Sequence, residues 1–446
     1  MKNNENNMII KNARLVKTEK IINILVSDGV IAQIFEGEFC EFKDFRNYKI
    51  CEIIDARGNY ISAGFIDLHV HLRDPGFEYK EDIESGTKAA VKGGVTTVCC
   101  MPNTKPVIDN PETLKYIFET KANCGVLPVA AVTKSQKGEE LTDFIELKKA
   151  GAVALSDDGR PVGNCELMRE ALINAKNNNM LIISHCEDLT LAHSGVMNDG
   201  EILKKINLEC NLDLKGIPNE AEDKITKRDV NLACETGARL HIAHVSSKNS
   251  VDYIADAKKR GFNNITAETC PHYFTLTDGD VLKYGVNAKM NPPLRSAEDK
   301  EKIIEAIKSG VIDCISTDHA PHSLDDKKDE NYIDLCKLQE AANGITGLET
   351  MFSLGVTYLV KPNHITLDRL IELMTVNPAK IIGIEKERGT IEIGKAADFV
   401  IFNTDEKFIF DKDKSYSKSR NTPFNGFELY GKILYTVLNG KIIYNF

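Results

Sequence analysis

Between residues 61 and 322, eight short apolar or β-branched runs alternate with stretches of helical periodicity or helix-forming composition, and no other feature of the chain constrains its fold as tightly. The runs cover residues 65–71, 96–101, 126–132, 152–156, 181–185, 240–245, 264–269 and 311–317. Strands that alternate with helices are joined by crossovers and lie parallel, and eight such units predict a closed (β/α)8 TIM-like barrel. A doubly wound open sheet is the alternative, but no Gly-x-Gly-x-x-Gly element follows the first strand. Residues 8–60 and 390–446 read instead as short strands and turns. Chain ends often lie close together, and isolated β segments are weakly stable. The two ends are therefore expected to form one small β-sandwich domain, residues 1–60 plus 386–446, beside a catalytic barrel of residues 61–385.

The formal net charge is −10, and no basic run stands out, which argues against nucleic acid or an anionic membrane as partner and favours a small-molecule substrate. No apolar run approaches the roughly 20 residues of a membrane span, and the start Met1-Lys2-Asn3-Asn4-Glu5 has no hydrophobic signal core. The expected location is cytoplasmic. Twelve cysteines are scattered without a Cys-x-x-Cys element, several inside strand-like runs such as Val98-Cys99-Cys100-Met101, and read as small buried hydrophobes.

In a barrel, reactive groups sit where strands end and loops begin. The first strand there reads Phe65-Ile66-Asp67-Leu68-His69-Val70-His71. Side chains two apart on a strand project together, so Asp67, His69 and His71 are expected on one side and Ile66, Leu68 and Val70 on the other. Two imidazoles on one face chelate zinc or a neighbouring first-row metal once other strands add ligands. The fifth strand supplies His185. The sixth carries His241 and His244, whose odd spacing puts them on opposite faces, with His244 nearer the loop and chosen as the ligand. Asp157-Asp158-Gly159 follows the fourth strand, and Asp318 ends the eighth. Alone these are turn and cap residues. Beside four histidines, one carboxylate is able to bridge paired cations about 3.5–4 Å apart, and Asp318 to act as a terminal ligand that also handles protons. His272, after strand seven, is left outside the ligand set, and Asp67 is a candidate orienting residue.

These residues resemble the cyclic-amide branch of the amidohydrolase superfamily, and most closely the class I bacterial dihydroorotases. The similarity runs through Gly64-Phe65-Ile66-Asp67-Leu68-His69-Val70-His71-Leu72-Arg73-Asp74-Pro75-Gly76, Met101-Pro102-Asn103-Thr104, Ser156-Asp157-Asp158-Gly159, Asn291-Pro292-Pro293-Leu294-Arg295 and Asp318-His319-Ala320-Pro321-His322. It implies the barrel with a terminal β-sandwich, and metal ligands His69, His71, Asp158, His185, His244 and Asp318. Asp158 is preferred to Asp157 because it lies 27 residues before His185, as the family's second aspartate does. Dihydropyrimidinases, hydantoinases and allantoinases bridge their metals with a carboxylated lysine at the end of strand four. Here Lys148 and Lys149 precede that strand, which favours dihydroorotase.

The resemblance implies two zinc ions, or other divalent metals, and reversible cyclisation of N-carbamoyl-L-aspartate to L-dihydroorotate and water in pyrimidine biosynthesis. In the hydrolytic direction a metal-bound hydroxide would be the nucleophile and Asp318 the general base and acid. His71, Arg73, Asn103, Asn291 and His322 would contact the substrate, Arg73 as a planar fork for its unreacting carboxylate. Asn343 and Gly344 stand where relatives carry a Pro-Phe-Gly-like element, after a charged loop over 323–342 that reads as either a lid or a solvated segment. A homodimer, and association with aspartate transcarbamoylase as in some relatives, complete the partner expectations. The alternatives are another cyclic amidohydrolase, or a non-catalytic structural partner of another enzyme.

Overall fold

The computed structural model describes residues 7–37, 50–328 and 335–446. Part of the charged loop, residues 329–334, lies outside the described residues. Eight parallel strands, Phe65–Val70, Val95–Cys100, Gly125–Ala130, Ala154–Leu155, Ile182–Ser184, Leu240–Ile242, Ile265–Thr269 and Cys314–Ile315, pair in sequence order. A bridge between Val70 and His319, with the His71 amide donating to the His319 carbonyl at 2.8 Å, links the last strand's end to the first. Each strand falls within one residue of its expected run or inside it. The fourth and eighth are two residues long, because the chain leaves the ladder early to enter the mouth, where Asp318 adopts φ 48°.

Local chemistry sets the helices between the strands. The helix Ile83–Lys92 starts at Asp82, whose carboxylate accepts the Ser85 amide. The helix Cys165–Asn177 starts at Asn164, and Ala297–Ser309 starts at Ser296 and stops at Gly310, φ 81°. Inside the barrel Ile66, Leu68, Cys99, Val129, Ala154, Ile183 and Cys314 pack together, closed below by Ala379, Ile381 and Ile382 of the helix Val376–Ile382. Val70 parts company with Ile66 and Leu68 and joins the core that faces the helices. A shift of register between Asp67 and Val70 breaks the expected two-residue alternation there.

The expected terminal β unit is a mixed sheet to which both ends contribute. Its strands are Asn7–Leu15, Ile21–Ser27, Val30–Glu36, Ile50–Asp55, Tyr60–Ala63, Phe399–Asn403, Lys432–Leu438 and Lys441–Asn445. Phe399–Asn403 runs antiparallel to Tyr60–Ala63, which joins the two ends of the chain. Asn7–Leu15 pairs first with Ile50–Asp55 and then with Tyr60–Ala63 along one edge. It changes partner across a register irregularity at which Asn12 has φ 56°. Ile10, Ile24, Ile61, Phe399, Ile401 and Val437 form a core separate from the barrel's. Among the described residues six cysteines, Cys99, Cys100, Cys124, Cys186, Cys270 and Cys314, are buried as expected, whereas Cys210 and Cys234 are half-buried and Cys51, Cys165 and Cys336 lie exposed.

Candidate metal centre

Asp158 stands at the middle of four imidazoles. Its Oδ1 lies 3.3 Å from His69 Nε2, 3.4 Å from His185 Nδ1 and 3.5 Å from His244 Nε2, and its Oδ2 lies 3.5 Å from His71 Nε2. Asp318 Oδ1 approaches His71 Nε2 at 3.1 Å and His69 Nε2 at 3.8 Å. All six side chains are buried. They arrive from the ends of strands one, four, five, six and eight, so the barrel alone brings together residues 69 to 318.

Neighbours fix which ring nitrogen faces inward. Glu268 Oε1 sits 2.9 Å from His69 Nδ1, and Asn103 Oδ1 sits 2.8 Å from His71 Nδ1. Both acceptors need a donated proton, which leaves each Nε2 lone pair turned to the centre. Glu187 Oε2 does the same for His185 at 3.2 Å from Nε2, turning Nδ1 inward. His185 Nδ1 and His244 Nε2 then lie only 2.8 Å apart. Burial favours a neutral Asp158, but His69, His185 and His244 outweigh it and hold its carboxyl well below the usual range. Burial likewise disfavours a charged His185, yet Asp158 and Glu187 raise it to about 10, so a cation held there would displace a proton from the ring.

The donor set fits divalent cations. Among the described residues His69 Nε2 and Asp158 Oδ1 are buried with no hydrogen-bond partner, an expensive state for two polar atoms unless a cation lies between donors such as these. His69, Asp158 and His244 form one group able to hold an ion, and His69, His71 and Asp318 another.

A cleft above the centre is lined by His71, Arg73, Asn103, Asp158, His185, His244, Asn291, Asp318, His322, Asn343 and Gly344, with Gly159 and Ala320. Of the residues expected to hold metal or contact substrate, only His69 is absent from this lining, being fully buried below it. Arg73 Nε donates to the Pro321 carbonyl at 3.1 Å. Proton-only donors flank both ring nitrogens of His322, Lys80 Nζ 3.4 Å from Nδ1 and Arg73 Nη2 3.2 Å from Nε2, but the shortest contact is Nε2 to the Asn343 carbonyl at 2.8 Å, and a carbonyl only accepts, so Nε2 carries the hydrogen. Burial and the Arg73, Lys80 and Lys327 cations keep His322 neutral. Lys148 donates to the Asn178 carbonyl on the surface, away from the centre.

Three outcomes differ from, or add to, the expectations. His241 does not face away: the strand ends at Ile242, His244 takes φ 33°, and His241 points inward one layer deeper, 3.2 Å from Glu268 Oε2. Glu268 and Glu187 received no role from the sequence. The signal for Glu268 was a lone acid inside the strand Ile265–Thr269, since a buried carboxylate needs partners. Asp157, by contrast, turns away and accepts the Val132 amide at 2.8 Å, the Thr133 amide at 3.1 Å and the Thr133 hydroxyl.

Imidazoles and carboxylates gathered at the carboxyl-end mouth of a (β/α)8 barrel define an amidohydrolase, and residues 303–444 match the model described as "Amidohydrolase family". L-Hydantoinase (dihydropyrimidinase) from Arthrobacter aurescens superposes with a TM-score of 0.84 at 26% identity, covering 98% of this chain and 96% of that one. A D-hydantoinase superposes with a TM-score of 0.80 at 26% identity, covering 98% and 95%. Within that class, residues 58–250 match the model "Dihydro-orotase-like". The dihydroorotase of Ruminiclostridium cellulolyticum is 49% identical over 97% of each chain, and that of Acetivibrio thermocellus 47% identical over 98% of each. The chain belongs to the dihydroorotase family.

Proposed function

We propose that this protein interconverts N-carbamoyl-L-aspartate and L-dihydroorotate, the reaction its relatives are named for, through a pair of divalent cations held by His69, His71, Asp158, His185, His244 and Asp318. The observation that carries this reading is Asp158, both of whose oxygens face imidazoles, three around Oδ1 and one beside Oδ2. Zinc suits four neutral imidazoles and two carboxylates. When bound, such cations acidify water and polarise the scissile carbonyl.

The chain's own groups supply the rest. Asp318, with Oδ1 3.1 Å from His71 Nε2, lines the cleft, where its carboxylate is placed to accept a proton. In hydrolysis the C–O bond forms first to give a tetrahedral adduct, and the C–N bond breaks as that adduct collapses and the nitrogen gains a proton. Asp318 takes the proton from the attacking water and returns it to the departing ring nitrogen, and cyclisation reverses each step. Arg73, Asn103, Asn291, His322 and the Asn343–Gly344 backbone orient the substrate, with the Arg73 fork toward its unreacting carboxylate. Residues 61–385 act as the catalytic barrel, and residues 1–60 with 386–446 as the supporting unit. A cytoplasmic location, a homodimer and a complex with aspartate transcarbamoylase follow from the same reading. They are tested by fractionation, by sedimentation and by co-purification with that enzyme.

Comparing kcat/KM for L-dihydroorotate, dihydrouracil and allantoin, with and without a chelator, tests the assignment. The expected result is a preference of at least about a hundredfold for dihydroorotate that the chelator abolishes, because a site built to pair a carboxylate rejects analogues lacking it. Preference for either other ring would overturn it.

A further inference from the structure

Residues 415–422 leave the terminal part of the chain and run along the barrel mouth. The Ser417 hydroxyl meets Glu81, the Lys418 amide donates to Glu81 Oε1 at 3.1 Å, and the Ser419 hydroxyl donates to the Lys80 carbonyl at 2.7 Å. The run ends at Asn421, which is 4% exposed and uses its amide in three directions. Nδ2 donates to the Ala320 and Gly344 carbonyls, each at 3.0 Å, and Oδ1 accepts the His322 amide at 3.1 Å. Two carbonyls and one N–H leave only one orientation for that amide. The Asn421 carbonyl also accepts the Thr346 amide at 2.8 Å.

The same Gly344 carbonyl has a second donor. Lys327, 1% exposed, places Nζ 3.1 Å from it, 2.9 Å from the Ala342 carbonyl and 3.2 Å from the Lys289 carbonyl. The two loops so joined approach closely: at Gly344, φ 132°, a Cβ would fall 2.6 Å from Ala320 Cβ. A buried amide and a buried ammonium converging on one backbone oxygen are costly to assemble unless its position matters.

We propose that Asn421 and Lys327 are positioning residues for the substrate, clamping the Gly344 carbonyl and with it the loops that present His322 and Asn343. The proposal rests on the substrate role assigned above to His322 and Asn343. It gives the C-terminal segment a part in binding although it contributes nothing to the metal centre.

The test measures kcat, KM for L-dihydroorotate, bound metal and melting temperature for Asn421→Ala, Lys327→Met, the double variant and His322→Ala. Each single clamp variant is expected to raise KM about tenfold, with kcat within about threefold and metal content unchanged, the pattern of lost binding rather than lost chemistry. The double variant is expected to raise KM by much less than the product of the singles, because both side chains hold one carbonyl. A raised KM for His322→Ala with an unchanged KM for both clamp variants, their melting temperatures alone falling, would overturn the clamp and leave the substrate reading intact. An unchanged KM for His322→Ala would overturn the substrate reading and the clamp with it. Should Asn421→Ala fail to fold, Lys327→Met against His322→Ala decides by the same criteria.

Discussion

Asp157 and Asp158 are chemically identical neighbours with opposite surroundings, and that difference is measurable. Asp158→Ala is expected to lose bound metal and at least about a thousandfold in turnover, since it removes the carboxylate proposed to be shared between two cations. Asp157→Ala is expected to keep its metal but lose about 1–3 kcal/mol of stability, because the buried Val132 and Thr133 amides lose their acceptor. Metal analysis and denaturant unfolding of both variants check this. Glu268→Gln keeps the shape beside His69 but weakens the interaction that fixes its tautomer, and should cost about 10–100-fold in metal affinity or turnover. Burial lowers His272 from 6.5 to about 4. Between those values the unfolded chain takes up a proton there that the native chain refuses, so this contribution is present above about pH 6.5 and is lost as pH falls toward 4. The melting temperature of His272→Gln should therefore fall less than that of the native protein between pH 7 and pH 5. Residue types and spacing pointed to His69, His71, His185, His244 and Asp318 as candidate ligands because they stand at strand ends, and the fold brings their side chains together around Asp158. Type and spacing did not by themselves separate Asp158 from Asp157, which took the family resemblance, and Glu268 stayed hidden because its role depends on what lies across the barrel.

At the scale of elements, the alternation of strands and helices predicted all eight barrel strands, since each helix must bury one face on the sheet. What it missed follows from backbone irregularity. Two-residue periodicity holds only along a regular ladder, and it fails between Asp67 and Val70 and again beyond Ile242. Gly64, at the entrance to strand one, is required by close packing: a Cβ there would sit 2.1 Å from Thr96 Oγ1 on strand two. Gly64→Ala is expected to destabilise the protein by about 1–3 kcal/mol through overpacking, with substrate preference unchanged. Unfolding midpoints of the two proteins measure the loss, and equal midpoints would contradict the packing argument.

For the whole molecule, the terminal sheet and the barrel share one chain path twice over. Phe399–Asn403 needs Tyr60–Ala63 beside it, the Thr436 hydroxyl donates to the Val91 carbonyl at 2.6 Å, and residues 417–421 reach the catalytic mouth. A chain ending at residue 385 is therefore expected to give no cooperatively folded, metal-binding barrel, which thermal unfolding and metal analysis of the truncated protein would show. The sequence revealed that both ends are β-rich, but not that one of them touches the site, because that contact depends on an asparagine indistinguishable in sequence from a turn former. Six side chains converge from five strands, and the proposal is that they hold paired cations. Turnover of L-dihydroorotate measured against bound metal, in the native protein and in Asp158→Ala, tests it most directly. The predicted result is activity that rises with metal to two equivalents per native chain and is absent from the variant; full activity in metal-free protein, or in Asp158→Ala, would contradict it.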